Sequence, residues 1–264
     1  MGALKAMFSF FTMIRLDITR EDMDAMDRKF WTVPIVGSLY GLIAALMMTV
    51  LTHYISTLVS SVITFFVIFA FNRFLHIDGT IDTGDGLVVA GTREDHLRAL
   101  KDSRIGAGGM AFALMIILMN ITMASAIWIP LMALFLFSAE VLAKVGMVSA
   151  AAFGEPGSGM AGNSVRNTSA ASLLYAMILA VVLIVLFGAF IYLLHEHTTI
   201  PVAMVSDHVI FLIASLAVSV FAGLIMSKVA KKNFGMVNGD VLGATNEITR
   251  AAVLLTFLIL TAVI

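Results

Sequence analysis

The chain has no cysteine. That excludes disulfides, thiolate nucleophiles and zinc–thiolate sites. It is also poor in charge, with 12% charged against 60% apolar residues, where soluble domains run near a quarter charged and half apolar. The net charge of -1 supplies no basic field, so no nucleic-acid partner is expected. A mean hydropathy of +1.02 rules out a disordered tail, a collagen and a small secreted scaffold. The N-terminal segment 1–31 carries Lys5, Arg15, Asp17, Arg20, Glu21 and Asp22, with no isolated apolar core before a cleavage site. It does not read as a cleaved signal. It reads as a cytoplasmic or interfacial segment, with Met7, Phe8, Phe10 and Phe11 near lipid headgroups.

What is present is long charge-free runs. No Asp, Glu, Lys or Arg occurs in 30–72, 105–139, 167–194 or 209–227. Each run is long enough to cross a hydrocarbon core of about 30 Å. The first divides at Thr52, His53, Ser56 and Thr57, predicting spans near 32–52 and 56–75. Pro130 divides the second, predicting spans near 109–128 and 131–150. Further spans are expected near 171–194 and 208–227, and a last one after Asn238. That last stretch spans only if its helix starts early and Arg250 snorkels or pairs. The expected fold is therefore all-α: a polytopic membrane protein of about seven helices, forming a single domain. With seven spans, all 16 Lys and Arg residues fall on one side, which makes the N-terminus cytoplasmic. Gly37 and Gly41 have the small-xxx-small spacing of close helix packing.

Polar residues gather in three places on that side. Residues 76–87 read HIDGTIDTGDGL. Asp78, Asp82 and Asp85 stand at i, i+4 and i+7, within an arc of roughly 60° on a helix. Three such charges repel unless a cation sits among them, and carboxylate oxygens suit Mg²⁺ or Mn²⁺. A solvated acidic loop with glycine turns is the plainer alternative, and 76–108 is expected to be a loop carrying the site. Residues 101–109 read KDSRIGAGG. Lys101 and Arg104 beside a glycine-rich helix entry suit a phosphate, with free N–H groups adding donors; Asp102 could add a metal ligand. The alternative is a basic flank with a flexible entry. Residues 238–247 read NGDVLGATNE, placing Asp240 and Glu247 two turns apart on one face. Acidic residues heading a span are expensive and functional by default; alternatively Asp240 starts the helix and Glu247 pairs with Arg250. Glu140 stands between apolar runs, and an i, i+4 pair with Lys144 is the simplest expectation. His195, Glu196, His197, Asp207 and His208 read as a solvated outer loop. If the three clusters converge, the chemistry is phosphoryl transfer.

These three motifs, with Phe11-Thr12 and the positions Trp31, Pro34, Gly37 and Gly41, resemble the cobalamin synthase family, the adenosylcobinamide-GDP ribazoletransferases. The resemblance runs in order through most of the chain. It implies a Mg²⁺-dependent enzyme of the cell membrane, its site on the cytoplasmic side, with a corrinoid nucleotide and α-ribazole or its 5′-phosphate as substrates and GMP released. It implies Asp78, Asp82, Asp85, Asp102 and Glu247 as metal ligands, and Asp82, Asp85, Asp240 and Glu247 as the catalytic carboxylates. His76, Lys101, Arg104 and Asn238 would hold substrate or phosphate. A homo-oligomer is left open. Two other readings compete. A CDP-alcohol phosphatidyltransferase-like enzyme would need an Ala-Arg pair among the acids, which 78–85 lacks. A cation-coupled transporter would use Glu140 and the Asp cluster as ion sites, with acids near the midplane.

Overall fold

The computed structural model describes residues 2–194 and 202–263, and among them it contains helices and no strand. The helices are α1 (Gly2–Phe11), α2 (Arg20–Arg28), α3 (Pro34–Leu51), α4 (Thr57–Phe71), α5 (Leu75–Val88), α6 (Arg93–Leu100), α7 (Ala107–Ala126), α8 (Ile129–Phe153), α9 (Met160–Asn167), α10 (Ala170–Leu194), α11 (Val202–Asn233) and α12 (Gly239–Val263). The expectation for His195, Glu196, His197 and the side chains of Asp207 and His208 lies outside the described residues.

Local chemistry sets the boundaries. Thr19 and Thr92 each close a capping box, with Asp22 and Asp95. Ser56 caps α4 and Asn238 caps α12, where its Oδ1 accepts the Val241 N–H at 3.1 Å. Pro34 and Pro130 sit in the first turns of α3 and α8, where a missing N–H costs nothing.

Among the described residues, six helices are long and apolar enough to cross a membrane, and α4 with α5 makes a seventh candidate only as a pair bent by 91°. The chain is a polytopic helical membrane protein. The expected span positions agree with α3, α4, α7, α8, α10, α11 and α12. Two expectations are corrected. Residues 76–108 do not form a loop: they hold α5 and α6, and along α5 the small residues, threonines and Ile81 between the acids are buried against neighbouring helices. Lys144 and Arg250, counted with the basic residues on one side of the spans, are fully buried inside α8 and α12, where Arg250 pairs as its span requires.

Helix α8 is the axis of the bundle. It is buried over most of its length and packs against α3, α10, α11 and α12. Small residues make this possible. A methyl at Gly37 of α3 would lie 2.6 Å from the Glu140 carbonyl oxygen, and one at Gly41 would lie 2.8 Å from Phe137 Cα. Phe135 stacks on Phe257 of α12 at 4.2 Å, and Phe137 stacks on Phe187 of α10 at 4.0 Å.

The N-terminal helix is also placed differently from the expectation. Met7 and Phe11 face the core instead of headgroups, while Phe8 and Phe10 are half-buried. The carbonyls at the end of α1 explain it. Arg73 donates to the Ser9 and Phe10 oxygens at 3.3 and 2.7 Å, and the Tyr40 hydroxyl donates to the Phe11 oxygen. The Met13 N–H donates to Phe71 O at 2.7 Å. The chain end is thereby tied to the junction between α4 and α5. At that junction Arg73 and Phe74 both have φ near 57°, the left-handed conformation that turns α5 away from α4.

Candidate active site

The acidic motif is helical, so its spacing becomes a surface. Along α5, His76, Thr80 and Thr83 point inward. Asp78 is exposed, and Asp82 and Asp85 are half-buried. The glycines are the reason α5 can lie where it does. A Cβ at Gly79 would come within 2.8 Å of Asp240 Cα in α12, and one at Gly84 within 2.9 Å of Phe112 Cβ in α7. A Cβ at Gly243 of α12 would lie 3.3 Å from His76 Cα. Near-backbone contact of α5 with α12 brings Asp240 into the electrostatic surroundings of Asp82, along with Asp78 and Asp85. These four carboxylates, from the first and third motifs, form one acidic face. Asp78 and Asp82 accept no hydrogen bond among the described residues, which leaves their oxygens free.

The other members are engaged. Asp85 accepts the Gly106 and Gly109 N–H groups through its two oxygens, both at 2.7 Å. It therefore serves as the cap that glycine, at the N-cap of α7, cannot supply. The glycine-rich entry was expected to offer free N–H groups to a phosphate, and these two are taken instead. Each Asp85 oxygen keeps a second lone pair. Asn238 donates to Asp240 Oδ2 at 2.6 Å while it caps α12. Asp102 binds Arg104 side by side, with Nη2 to Oδ2 at 2.8 Å and Nε to Oδ1 at 3.1 Å. The Arg104 side chain and backbone amide hold the Asp102 carboxyl down at about 2. Lys101 and Arg104 are exposed beside the entry to α7, and the bonds from Gly106 and Gly109 to Asp85 join this second motif to the C-terminal half of α5.

Glu247 and His76 belong to a second, interior group. Both are 1% exposed. Arg250 bridges two carboxylates: its Nε and Nη2 reach Glu140 at 2.7 and 3.0 Å, and its Nη1 reaches Glu247. Glu247 thus takes the i, i+3 partner weighed for it. Glu140 does not take Lys144 as its hydrogen-bonded partner, because Arg250 crosses from α12 with a planar fork that fits a carboxylate better. Lys144 instead donates to Asn246 Oδ1 at 2.7 Å, and Asn246 donates to Glu247 Oε1 at 3.0 Å. Asn120 of α7 donates to the Glu247 carbonyl at 3.2 Å. Two acids and two bases balance inside the bundle, which is how charge is tolerated there. Asn246, Asn120 and Lys144 were not marked by sequence as parts of one network, since their partners lie on other helices. The local signals were the isolated charge of Glu140 with Lys144 four residues on, and Glu247 with Arg250 three residues on.

Comparison with known proteins follows the same residues. The chain matches the family described as cobalamin-5-phosphate synthase over residues 3–258. A protein of Methanocella arvoryzae named adenosylcobinamide-GDP ribazoletransferase is 32% identical over 96% of this chain and 94% of its own length. Proteins with the same name from Methanosarcina mazei and Thermococcus onnurineus are 27% and 28% identical over 96% of this chain, covering 90% and 95% of those proteins. No solved structure matches. With nearly the whole length matched in order, the chain belongs to the cobalamin-5-phosphate synthase family.

Proposed function

We propose that this chain joins adenosylcobinamide-GDP to α-ribazole or its 5′-phosphate, yielding adenosylcobalamin or its 5′-phosphate and GMP. The observation that carries the reading is the acidic face of Asp78, Asp82, Asp85 and Asp240, with Lys101 and Arg104 exposed beside the turn that adjoins it. Family membership and the names of the relatives support the same reaction. A single-domain transferase of the cell membrane, with this face toward the cytoplasm, agrees with the run of basic residues on one side of the spans.

The reaction is a displacement at phosphorus. A free ribose hydroxyl of the ribazole other than the 5′ one, which is already esterified in the 5′-phosphate, bonds through its oxygen to the phosphorus on the cobinamide side. The bond from that phosphorus to the bridging oxygen breaks, and GMP departs with that oxygen. The hydroxyl proton passes to a carboxylate, for which Asp82 is suited because its oxygens are free and half-buried. Lys101 and Arg104 hold phosphate oxygens, with Arg104 exchanging part of its contact to Asp102.

The donors fit Mg²⁺ by their chemistry. Among the described residues no three acidic or histidine side chains are gathered closely enough to hold an ion alone. Mg²⁺ does not ask for that, since it commonly takes one or two carboxylates and completes its shell with water and substrate phosphate. Asp78 and Asp82, with the remaining lone pairs of Asp85, would hold it. When bound it offsets the charge of the diphosphate and of the departing GMP. Glu247, expected among the ligands, is buried with its two oxygens taken by Asn246 and Arg250, so it supports the helices that carry the face and does not reach the ion. Purified protein supplied with Mg²⁺, adenosylcobinamide-GDP and α-ribazole should release GMP and a cobalamin product in equal amounts. A folded sample that releases neither contradicts the proposal.

A further inference from the structure

α5 carries the acidic face, and while Asp85 ties its C-terminal half to α7, little fixes the rotation of its N-terminal half. It follows two left-handed residues, has no side-chain N-cap bond, and contains Gly79, Gly84 and Gly86. Glycine contacts let α12 and α7 come close but do not by themselves select an angle. One side chain of α5 reaches across to the buried charges. His76 Nε2 lies 3.5 Å from Lys144 Nζ of α8. Its Nδ1 lies 3.7 Å from Glu247 Oε1 of α12, beyond hydrogen-bonding reach, and has no partner. The ring is set between Phe11 at 6.1 Å and Tyr40 at 6.5 Å, centroid to centroid. With Lys144 as an ammonium, which only donates, Nε2 accepts and the ring proton sits on Nδ1, facing Glu247. The ring is too buried to meet a substrate on the acidic face, and it lies half a turn from Asp78 on the same helix.

We infer that His76 is a positioning residue, locking the rotation of α5 against α8 and α12 so that Asp78, Asp82 and Asp85 face Asp240. The inference rests on the proposed transferase reading, and it gives the buried network a task in that reaction. α8 and α12 form a rigid frame through Glu140, Arg250 and Glu247. His76 is the point at which α5 is keyed to that frame. Loss of the key leaves the carboxylates chemically intact but mis-aimed, and a misplacement of about 1 Å at a reacting centre costs roughly 100-fold in rate.

The absence of native cysteine makes a direct test clean. Spin labels on Val88→Cys, at the end of α5, and Leu255→Cys, on α12, report the placement of α5. Labels on Leu46→Cys and Leu186→Cys report the rest of the bundle. All four positions are exposed. His76→Ala should lower kcat by roughly 100-fold while changing KM for α-ribazole by less than about threefold. It should broaden the Val88–Leu255 distances and leave the Leu46–Leu186 distances sharp. His76→Gln restores an acceptor for Lys144 and a donor toward Glu247, and should recover most of kcat and the narrow α5 distances. Full turnover in His76→Ala overturns the inference, as does lost turnover with unchanged distances. If His76→Ala does not fold, His76→Gln decides alone: folded, narrow and inactive contradicts the inference. A wild-type protein that makes no GMP but shows the same distance changes sinks the transferase reading and not the role of His76 in placing α5.

Discussion

Gly79 is where the geometry of the acidic face can be tested by a single methyl group. In a helix interior, glycine to alanine ordinarily gains about 1 kcal/mol. At Gly79 the added Cβ would stand 2.8 Å from both Cα and O of Asp240, and these are backbone atoms that cannot rotate away. Carbon contacts relax near 3.5–4.0 Å, so α5 and α12 must part by about 1 Å. Overpacking of this kind costs about 1–3 kcal/mol, which cancels or exceeds the propensity gain. The same separation moves Asp78 and Asp82 relative to Asp240, which should lower kcat by roughly 100-fold. Gly188 in α10 is the control, because its Cβ would meet only the end of the Leu134 side chain at 3.7 Å. Gly188→Ala should gain up to about 1 kcal/mol and keep full turnover. Unfolding in detergent, followed with GMP release, measures both. The reasoning fails if Gly79→Ala is as stable and as active as Gly188→Ala.

Other outcomes follow from the interior charges, the helix cap and the topology. Arg250→Met strands Glu140 and Glu247 at 2% and 1% exposure and should cost about 3–5 kcal/mol in detergent unfolding. Adding Glu140→Gln and Glu247→Met to that variant should recover much of the loss; a single Arg250→Met as stable as wild type refutes the pairing. Asp85→Ala removes both acceptors at the start of α7 and should cost about 0.5–2 kcal/mol. It should also speed amide exchange at Gly106 and Gly109, and unchanged exchange would show that the cap is not formed. A fluorescent protein fused at the C-terminus should stay dark in the proposed orientation, which places that end outside the cell; bright cytoplasmic fluorescence contradicts the orientation.

The parts of the fold that were readable from sequence are those governed by local patterns. Charge-free runs located the spans, and i, i+4, i+7 spacing placed Asp78, Asp82 and Asp85 on one side of a helix that the structure contains as α5. Gly37 and Gly41 do pack α3 against α8, as their spacing implied. What was not readable depends on which helices cross and where. Glu140 pairs with Arg250, 110 residues away, and Asp85 caps α7 from 21 and 24 residues upstream. Both pairings depend on how closely separate helices approach, and single-helix periodicity carries no information about that. His76 and Glu247 looked like members of the acidic motifs because they are adjacent in sequence. Half a turn sends His76 inward from exposed Asp78, and two turns along α12 carry Glu247 from the helix start at Asp240 into the bundle. Met7 and Phe11 looked suited to headgroups because an apolar face reads the same whether lipid or protein covers it.

The central claim is that the α5–α12 face performs the transfer, with Asp82 at its centre. Asp82→Asn keeps the shape of that side chain and removes its charge and its basicity. GMP release by this variant, in Mg²⁺ with both substrates and with an unfolding transition unchanged from wild type, is the direct measurement. The account predicts a loss of roughly 100-fold or more in kcat. Turnover at the wild-type rate would contradict it.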